Sequence, residues 1–520
     1  MTMTLLDLIK QRQQQRIAAT LPRQQPSQLV VAMPPSRPNA PPPIKRIAQA
    51  PQGVLAQHRS GEPYVPEYTE LSLAVRAVSM EPRVYQIDGI EWLREHKRGI
   101  LGDAPGLGKT FQAIEAAVGP TIVTAPLTLT KQWADFINEQ YPNDKVVIAS
   151  QGDVLERTQA LETPSWDWMI VNHDMWRKFY MPDASTLIVD EIHHFRNREA
   201  QRSVQLRNYA HKRVERVYGL SATPIYKDVG DLYNQLYILD AEKYREGYWG
   251  FINRHAVNAD YGYGSKVIRV RSWERLNREI APYIKQRTYA QVGMYLPDRI
   301  DKQVVLRLSG DDLARYKKLR DFYILEAGGE DGEDKRFFNA AAALHALRKL
   351  TVTREKIDAV KQIVDDTPGD DPIIVFCWYH DTAKYVAEAL DAPEITGALK
   401  PDERVRLAKT GGVTKSRARV VTMESLSEGA DLSDARTVIY IEETYVPGKK
   451  YQSLSRVQRF RTAPQEEGGE LDTTPVVAYW VRYAGTVDQV VHDTARRRTT
   501  GNALQVLREA LAEPEADKAA

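Results

Sequence analysis

From about residue 83 the chain alternates short apolar, β-branched runs with stretches whose apolar positions recur at helical spacing. TIVTAP (121–126), DWMIVNHD (167–174), TLIVDE (186–191) and VYGLSAT (217–223) form one set of runs. PIIVFCW (372–378), ARVVTME (418–424), TVIYIEE (437–443) and PVVAYWV (475–481) form a second. Each run ends in polar or glycine-rich residues and is followed by a helical pattern, which is how a parallel sheet with crossover helices is written. The fold class predicted is α/β, with two tandem parallel-sheet lobes and a cleft between them. Ligands of such sheets bind beyond the carboxyl ends of the strands, where the polar residues of these runs gather.

The first 60 residues break this pattern. They hold eight Lys or Arg against one acid, Asp7, and collect proline and glutamine, as in LPRQQPSQLVVAMPPSRPNAPPPIKR. Such a segment cannot bury enough apolar surface to offset its ordering entropy, so it reads as a disordered basic tail with polyproline character. A short amphipathic helix is expected over its first ten or so residues, and the tail is available to a protein partner or to phosphate backbones. The charged, glycine-containing EAGGEDGED (326–334) reads as an exposed loop. The expected division is a tail over 1–66, lobe 1 with linker helices over 67–290, lobe 2 over 291–500 and a C-terminal tail over 501–520.

Composition removes several classes. The 520 residues carry a net charge of +2 and are 42% hydrophobic, with no apolar run long enough to span a bilayer, so no membrane partner is expected. The one cysteine, Cys377, permits neither an internal disulfide nor a cysteine-based zinc cluster, which fits a reducing, cytoplasmic setting. MTMTLLDLIK gives way at once to QRQQQR and does not read as a secretion signal.

Candidate chemistry begins at ILGDAPGLGKT, where an apolar strand runs into the helical pattern FQAIEAAV. The phosphate-binding pattern G-x-x-x-x-G-K-[ST] is met except at its opening glycine, where Asp103 stands. Gly106 and Gly108 would let backbone N–H groups wrap phosphates at a helix N-terminus, Lys109 would pair with the β- and γ-phosphates, and the Thr110 hydroxyl would bind Mg²⁺. At the end of LIVDE, Asp190 can bind Mg²⁺, usually through water, and Glu191 can orient or deprotonate an attacking water. Gln452, Arg456 and Arg459 follow i, i+4, i+7 spacing and share a helical face, from which guanidinium groups could reach a γ-phosphate across the cleft. His193 and His194 have no suitably spaced acid or cysteine to make a metal site.

RVYQIDGIEWL (83–93), GDAPGLGKT, TAPLTLTKQW (124–133), IVDEIHHFRN (188–197), GLSATPIYKDVGDLYNQLYIL (219–239), ESLSEGADL and YQSLSRVQRF resemble the ordered motifs of a superfamily-two helicase. The likeness is closest to SWI/SNF-type ATP-dependent DNA translocases, in particular the fork-remodelling, annealing-helicase branch and its compact phage-encoded forms, and covers roughly residues 80 to 500. It implies two RecA-like lobes of a P-loop NTPase helicase core that uses ATP and Mg²⁺. An aspartate commonly opens this family's loop, so the resemblance accounts for Asp103. It makes Gln86 the reader of the adenine base, places Gly429 and Asp431 in a nucleotide-sensing turn, and likens Pro447 and Gly448 to the lead-in of the arginine helix. Thr124, Pro126, Leu127, Asn172 and His173 in lobe 1, with Trp378, His380 and Gly397 in lobe 2, would line the track of one DNA strand. Residues 276–319 resemble the family's linker, read as helix, turn and a strand opening lobe 2, with Arg287 behind Gln286 where two arginines are customary. Lys356 resembles the segment just ahead of lobe 2's sheet.

Departures bear on the substrate. Ala104 and Pro105 replace the remodelers' Glu-Met, Ser221-Ala222-Thr223 matches strand-separating helicases, and Phe460, Arg461 and Thr462 stand where Ile-Gly-Gln is usual. The function implied is a DNA-dependent ATPase that moves along duplex, forked or branched DNA as a monomer, in repair or replication. A strand-separating DNA or RNA helicase and a nucleotide-gated DNA-binding scaffold without turnover stay open. The compact form suggests a bacterial or phage setting, with a nuclear one if the source is eukaryotic.

Overall fold

The computed structural model describes residues 81–260, 265–294, 296–327, 340–410, 416–425, 432–459 and 474–497. The expected tails at 1–66 and 501–520, most of the loop at 326–334, and Gly429, Asp431 and 460–462 lie outside the described residues.

Lobe 1 contains β1 (Arg98–Leu101), β2 (Thr121–Ala125), β3 (Val146–Ile148), β4 (Trp168–Asn172), β5 (Thr186–Asp190) and β6 (Arg216–Leu220). A hairpin of β7 (Ala256–Asp260) and β8 (Ser265–Val270) follows, then the two-residue β9 (Ile284–Lys285). The main sheet runs β3-β4-β2-β5-β6-β1-β9 and every pairing in it is parallel. Alternate residues of one strand enter different cores: Ile122, Met169, Leu187 and Val217 pack on one face, Val123, Ile170, Ile188 and Tyr218 on the other. Two buried faces explain why these strands read as unbroken apolar runs.

Lobe 2 repeats the scheme with β10 (Arg299–Leu306), β11 (Ile373–Cys377), β12 (Glu394–Ile395), β13 (Ala418–Thr422), β14 (Thr437–Tyr440) and β15 (Val476–Tyr483). Their order is β10-β15-β14-β11-β13-β12, again all parallel. Ile374, Phe376 and Tyr440 face one core, and Ile373, Val375 and Ile439 the other. The helix Arg354–Asp366, N-capped by Thr353, is pinned by a buried ion pair from Lys356 Nζ to Asp488 Oδ2 at 2.6 Å.

All eight predicted runs form strands, so the α/β reading with two parallel-sheet lobes stands. The strands not foreseen are the two- and three-residue β3, β9 and β12, too short to carry a period, and the β7–β8 hairpin, whose register shifts at Val257/Asn258. The linker contains the expected helix, Trp273–Ile280, and the expected strand, β10. Between them it first adds β9 to the lobe 1 sheet, with Ile284 opposite Ile100 and Lys285 opposite Leu101. No helix among the described residues is long and apolar enough to cross a membrane.

Candidate functional site

β6 lies between β1 and β5, so the turn after β6 stands between the glycine-rich loop and the acidic pair. The loop leaves β1 and enters the helix Lys109–Ala116 through Gly106 and Gly108, with φ of 77° and 74°, a left-handed backbone that glycine adopts without a steric cost. A Cβ on Gly108 would also lie 2.3 Å from Gln86 Nε2, so glycine is what lets the helix Val84–His96 approach the loop. Lys109 Nζ donates to the carbonyls of Asp103 at 2.7 Å and Ala104 at 3.3 Å. Burial lowers the Lys109 pKa, against the pull of Asp103, Glu191 and Asp190.

Asp190 ends β5 with both carboxylate oxygens held: Oδ2 accepts from Trp133 Nε1 at 2.9 Å and Oδ1 from the Glu191 N–H at 3.0 Å. Burial, then the adjacent Glu191 charge, push its carboxyl up to about 7. Glu191 sits at φ 46°, ψ 52°, a conformation that costs a non-glycine residue about 1–2 kcal/mol and turns the chain directly from strand into the turn Ile192–Phe195. Burial would raise its pKa, but His193, Lys109 and Arg456 together hold it below the usual carboxylate range. His193 Nδ1 lies 3.2 Å from Glu191 Oε2 and 2.9 Å from Ser221 Oγ, so the acidic pair is tied to the turn after β6.

From lobe 2, the helix Pro447–Val457 carries Gln452 and Arg456, with Arg459 just beyond its end. The Arg456 charge acts on both Lys109 and Glu191, from the lobe 2 side of the cleft. Arg459 instead acts on Tyr289 of the linker, and its Nε donates to the Ser455 carbonyl at 3.2 Å. Gln452 is buried in the same helix. The lobes also meet where Tyr226 packs on Gly448: a Cβ there would lie 2.6 Å from the ring. Tyr226 stacks on His193 with centroids 4.8 Å apart, giving a continuous path from the lobe 2 helix to Glu191.

The remaining predicted nucleotide residues are placed as follows. Gln86 is buried, with Oε1 accepting from the Arg83 N–H at 2.8 Å and Nε2 donating to the Leu107 carbonyl at 3.3 Å. Asp103 is fully buried, with its carboxylate on Arg287 and Gln112, so what it offers the cleft is its backbone carbonyl. Thr110 is half-buried in the first turn of the loop's helix, next to Lys109. A Mg²⁺–nucleotide fits this donor set: an open left-handed glycine at Gly106, a lysine over the loop, and a carboxylate and a hydroxyl that leave most of the cation's coordination to phosphates and water. Among the described residues there is no group of three or more His, Cys, Asp or Glu fit to hold a metal by themselves.

The predicted nucleic-acid residues divide by exposure. Thr124 accepts from Trp176 Nε1 at 3.0 Å. Asn172 caps the N–H groups of Asp174 and Met175. His173 Nε2 lies 3.0 Å from the Asp190 carbonyl, and burial pushes its pKa down to about 3. These three shape the surface from beneath, while Leu127 beside Pro126 is 52% exposed. The turn Leu127–Leu129 lies against the helix Pro401–Thr410, so this surface continues onto lobe 2. There Gly397 has no atom within 4 Å of where a Cβ would stand, and His380 is exposed. Trp378 is half-buried between two cations, Lys449 at 4.7 Å and Arg348 at 5.7 Å from its ring.

Three residues of this site were not assigned roles from sequence. Trp133 and Tyr226 lie inside recognised stretches, but an indole N–H aimed at a carboxylate and a ring bridging two lobes leave no spacing signal. Arg287 was visible only as a departure from a double arginine.

Residues 85–355 match the family model described as the SNF2-related domain, and residues 355–461 that of the helicase conserved C-terminal domain. The chain is similar to nuclear protein STH1/NPS1 of Saccharomyces cerevisiae, 25% identical over 324 residues that make up 56% of this chain and 23% of that protein. It is also similar to chromodomain-helicase-DNA-binding protein 1-like of Danio rerio, 23% identical over 470 residues, 79% of this chain and 43% of that one. The chain thus spans less than half the length of these curated relatives. Among solved structures it resembles the Sulfolobus solfataricus SWI2/SNF2 ATPase core in complex with dsDNA, with a TM-score of 0.40 and 18% identity, covering 85% of this chain and 99% of that one.

Proposed function

This chain belongs to the SNF2-related family, and on that premise we propose that it is a DNA-dependent ATPase whose two lobes grip one strand in turn and so move along duplex or forked DNA. The observation that carries the reading is the seam between the lobes, where Gly448, on the lobe 2 helix that bears Arg456, packs on Tyr226, which stacks on His193 beside Glu191. A hydrolytic site divided between two bodies couples chemistry to their relative motion.

In this reading the N–H groups around Gly106 and Gly108 cradle the phosphates, Lys109 leaves the loop carbonyls to meet them, and Gln86 turns to the adenine. Thr110 and Asp190 would hold Mg²⁺, which would supply positive charge against the nucleotide's phosphates. Glu191 orients the attacking water and accepts its proton, since the charges of His193, Lys109 and Arg456 keep its carboxylate ionised and free of a proton of its own. Arg456 offsets charge that develops on the γ-phosphate, and Arg459 and Gln452 complete the lobe 2 side together with Gly429 and Asp431. The strand runs over Pro126 and Leu127, supported by Thr124, Asn172 and His173, and continues over Gly397, His380 and Trp378.

Fork remodelling and reannealing are the specific activities proposed. Strand separation is the second reading, favoured by Ser221-Ala222-Thr223. ATP turnover should be measured with no nucleic acid, single-stranded DNA, duplex DNA, a forked duplex and RNA, with Glu191→Gln beside the parent chain. Stimulation by duplex or fork, abolished by Glu191→Gln, is the expected result. Stimulation chiefly by single strands or RNA would move the assignment to strand separation, and no turnover on any substrate would leave a binding scaffold.

A further inference from the structure

Asp103 raises a physical problem that its family resemblance does not solve. A carboxylate stands where the phosphate loop usually opens with glycine, beside a site built for anions, and it is fully buried. An ionised carboxylate taken out of water is tolerated only when it is paired and hydrogen-bonded. The partner comes from the linker between the lobes. Arg287, itself 3% exposed, meets Asp103 with two parallel bonds, Nε to Oδ1 at 3.0 Å and Nη2 to Oδ2 at 2.6 Å, and its backbone N–H donates to the same carboxylate at 3.0 Å. The fork geometry of arginine suits this pairing, and lysine lacks it.

The same guanidinium reaches both helices that flank the nucleotide loop. Nη1 donates to the Tyr85 carbonyl and to Asp88 Oδ2 on the helix that bears Gln86, and Nη2 to Gln112 Oε1 on the helix that begins at Lys109. Gln112 returns Nε2 to the loop carbonyl of Leu107 at 3.1 Å. Gly89 is the glycine that makes room: a Cβ there would lie 1.9 Å from Gln112 Oε1 and 2.6 Å from Arg287 Nη2. Beyond Arg287 the linker stays on the loop, since the Ala104 N–H donates to the Arg287 carbonyl and the Tyr289 hydroxyl to the Pro105 carbonyl. It then reaches lobe 2, where Gln458 Nε2, between Arg456 and Arg459, donates to the Pro297 carbonyl at 2.8 Å.

We propose that Arg287 is a positioning residue that locks the phosphate loop through Asp103 and, because it lies on the linker, transmits the placement of the lobe 2 arginine helix to that loop. One short length of backbone then joins the phosphate cradle to the end of the helix that closes on it. Nucleotide binding and lobe placement are linked through it, and by reciprocity so are nucleotide and DNA affinity. The inference rests on the ATP-driven translocase reading.

The test uses the full chain and three titrations: a non-hydrolysable ATP analogue with Mg²⁺, duplex DNA alone, and duplex DNA with saturating analogue. The variants are Arg287→Lys, which keeps charge and loses the fork, and Asp103→Asn, which keeps shape and loses charge. Each is expected to weaken analogue binding by about tenfold or more, leave duplex affinity without nucleotide at the parent value, and bring the factor by which analogue changes duplex affinity close to one. Because both variants break one contact, their combination should cost less than the product of the two losses. Should Arg287→Lys fail to fold by circular dichroism, Asp103→Asn and Gly89→Ala carry the same measurement. Variants that keep the parent's analogue affinity and coupling factor, or that lose only thermal stability, overturn the proposal. A parent chain that neither binds analogue nor turns over ATP with DNA sinks the translocase reading instead, so the two failures are distinct.

Discussion

The two lobes share one kind of sheet yet hold their functional groups in opposite ways. In lobe 1 the groups at the cleft are tied down: Asp190 by Trp133, Glu191 by His193, and Asp103 by Arg287 and Gln112. In lobe 2 the tightest polar ties brace the body of the lobe and the base of the arginine helix. Lys356 meets Asp488, Glu443 takes both Lys450 and His492, and Glu442 accepts the N–H groups of Trp378 and Tyr379. Of the lobe 2 groups proposed to meet ligands, Arg459 stands just beyond a helix end and Gly397 borders open space, while Gln452 is buried and Trp378 half-buried. The difference teaches a division of labour. In the proposed translocase, one lobe would be preorganised around the reacting charge and the other would deliver its groups by moving.

The largest effects should separate these roles. Glu191→Gln removes the acceptor for water in the preorganised lobe and is expected to lower turnover by about 10⁴-fold, with or without DNA. Arg456→Ala removes a group delivered by motion and should cost about 10³-fold, nearly all of it in the DNA-stimulated rate. Steady-state turnover across a DNA titration reads both. If Arg456→Ala depressed basal and stimulated rates equally, Arg456 would belong to the preorganised set and the contrast between lobes would fail.

Next comes a tie within lobe 1. Trp133→Phe keeps an apolar ring at a 3% exposed position but removes the N–H that holds Asp190 Oδ2. Losing a hydrogen bond to a charged group costs about 1.5–3 kcal/mol, so the Mg²⁺ concentration for half-maximal turnover should rise about 10- to 100-fold. An unchanged requirement would reduce Trp133 to packing.

Gly448→Ala tests the seam itself. The added methyl would lie 2.6 Å from the Tyr226 ring and 3.0 Å from the Tyr226 carbonyl. Overpacking of this kind costs about 1–3 kcal/mol, and about a tenfold loss of DNA-stimulated turnover is expected. Tyr226→Ala in the same chain should recover part of it, because the two positions share one contact.

How much of this could be read from the sequence follows from where each signal is stored. Strands buried on both faces announce themselves as apolar runs, so the sheets of both lobes were legible through β2, β4, β5, β6, β11, β13, β14 and β15. The loop and the acidic pair were legible because phosphate and Mg²⁺ chemistry needs fixed residue types at fixed spacing. Trp133, Tyr226 and the role of Arg287 were not, because their partners lie far along the chain: Asp190, Gly448 and Asp103. The Arg287 contact depends also on the register of β9, just ahead of it, which two residues cannot encode as a pattern. The interior placement of Thr124, Asn172 and His173 was hidden for a related reason, since the same residue types serve equally as turn caps and as phosphate grips.

The smallest effect expected is at Gly397, in lobe 2's half of the surface. Its backbone is not left-handed and nothing stands within 4 Å of where a Cβ would go, so Gly397→Ala should change stability by less than about 0.5 kcal/mol. If a phosphate passes close to the backbone there, the methyl group should push it away and weaken duplex affinity by about threefold. A backbone N–H neutralises no phosphate charge, so the salt dependence of binding should keep the parent's slope while the whole line shifts. Removing a lysine contact would change the slope as well. Duplex titrations of parent and Gly397→Ala at several salt concentrations distinguish the cases, and coincident lines would take the DNA path off this turn and leave Leu127, His380 and Trp378 to define it.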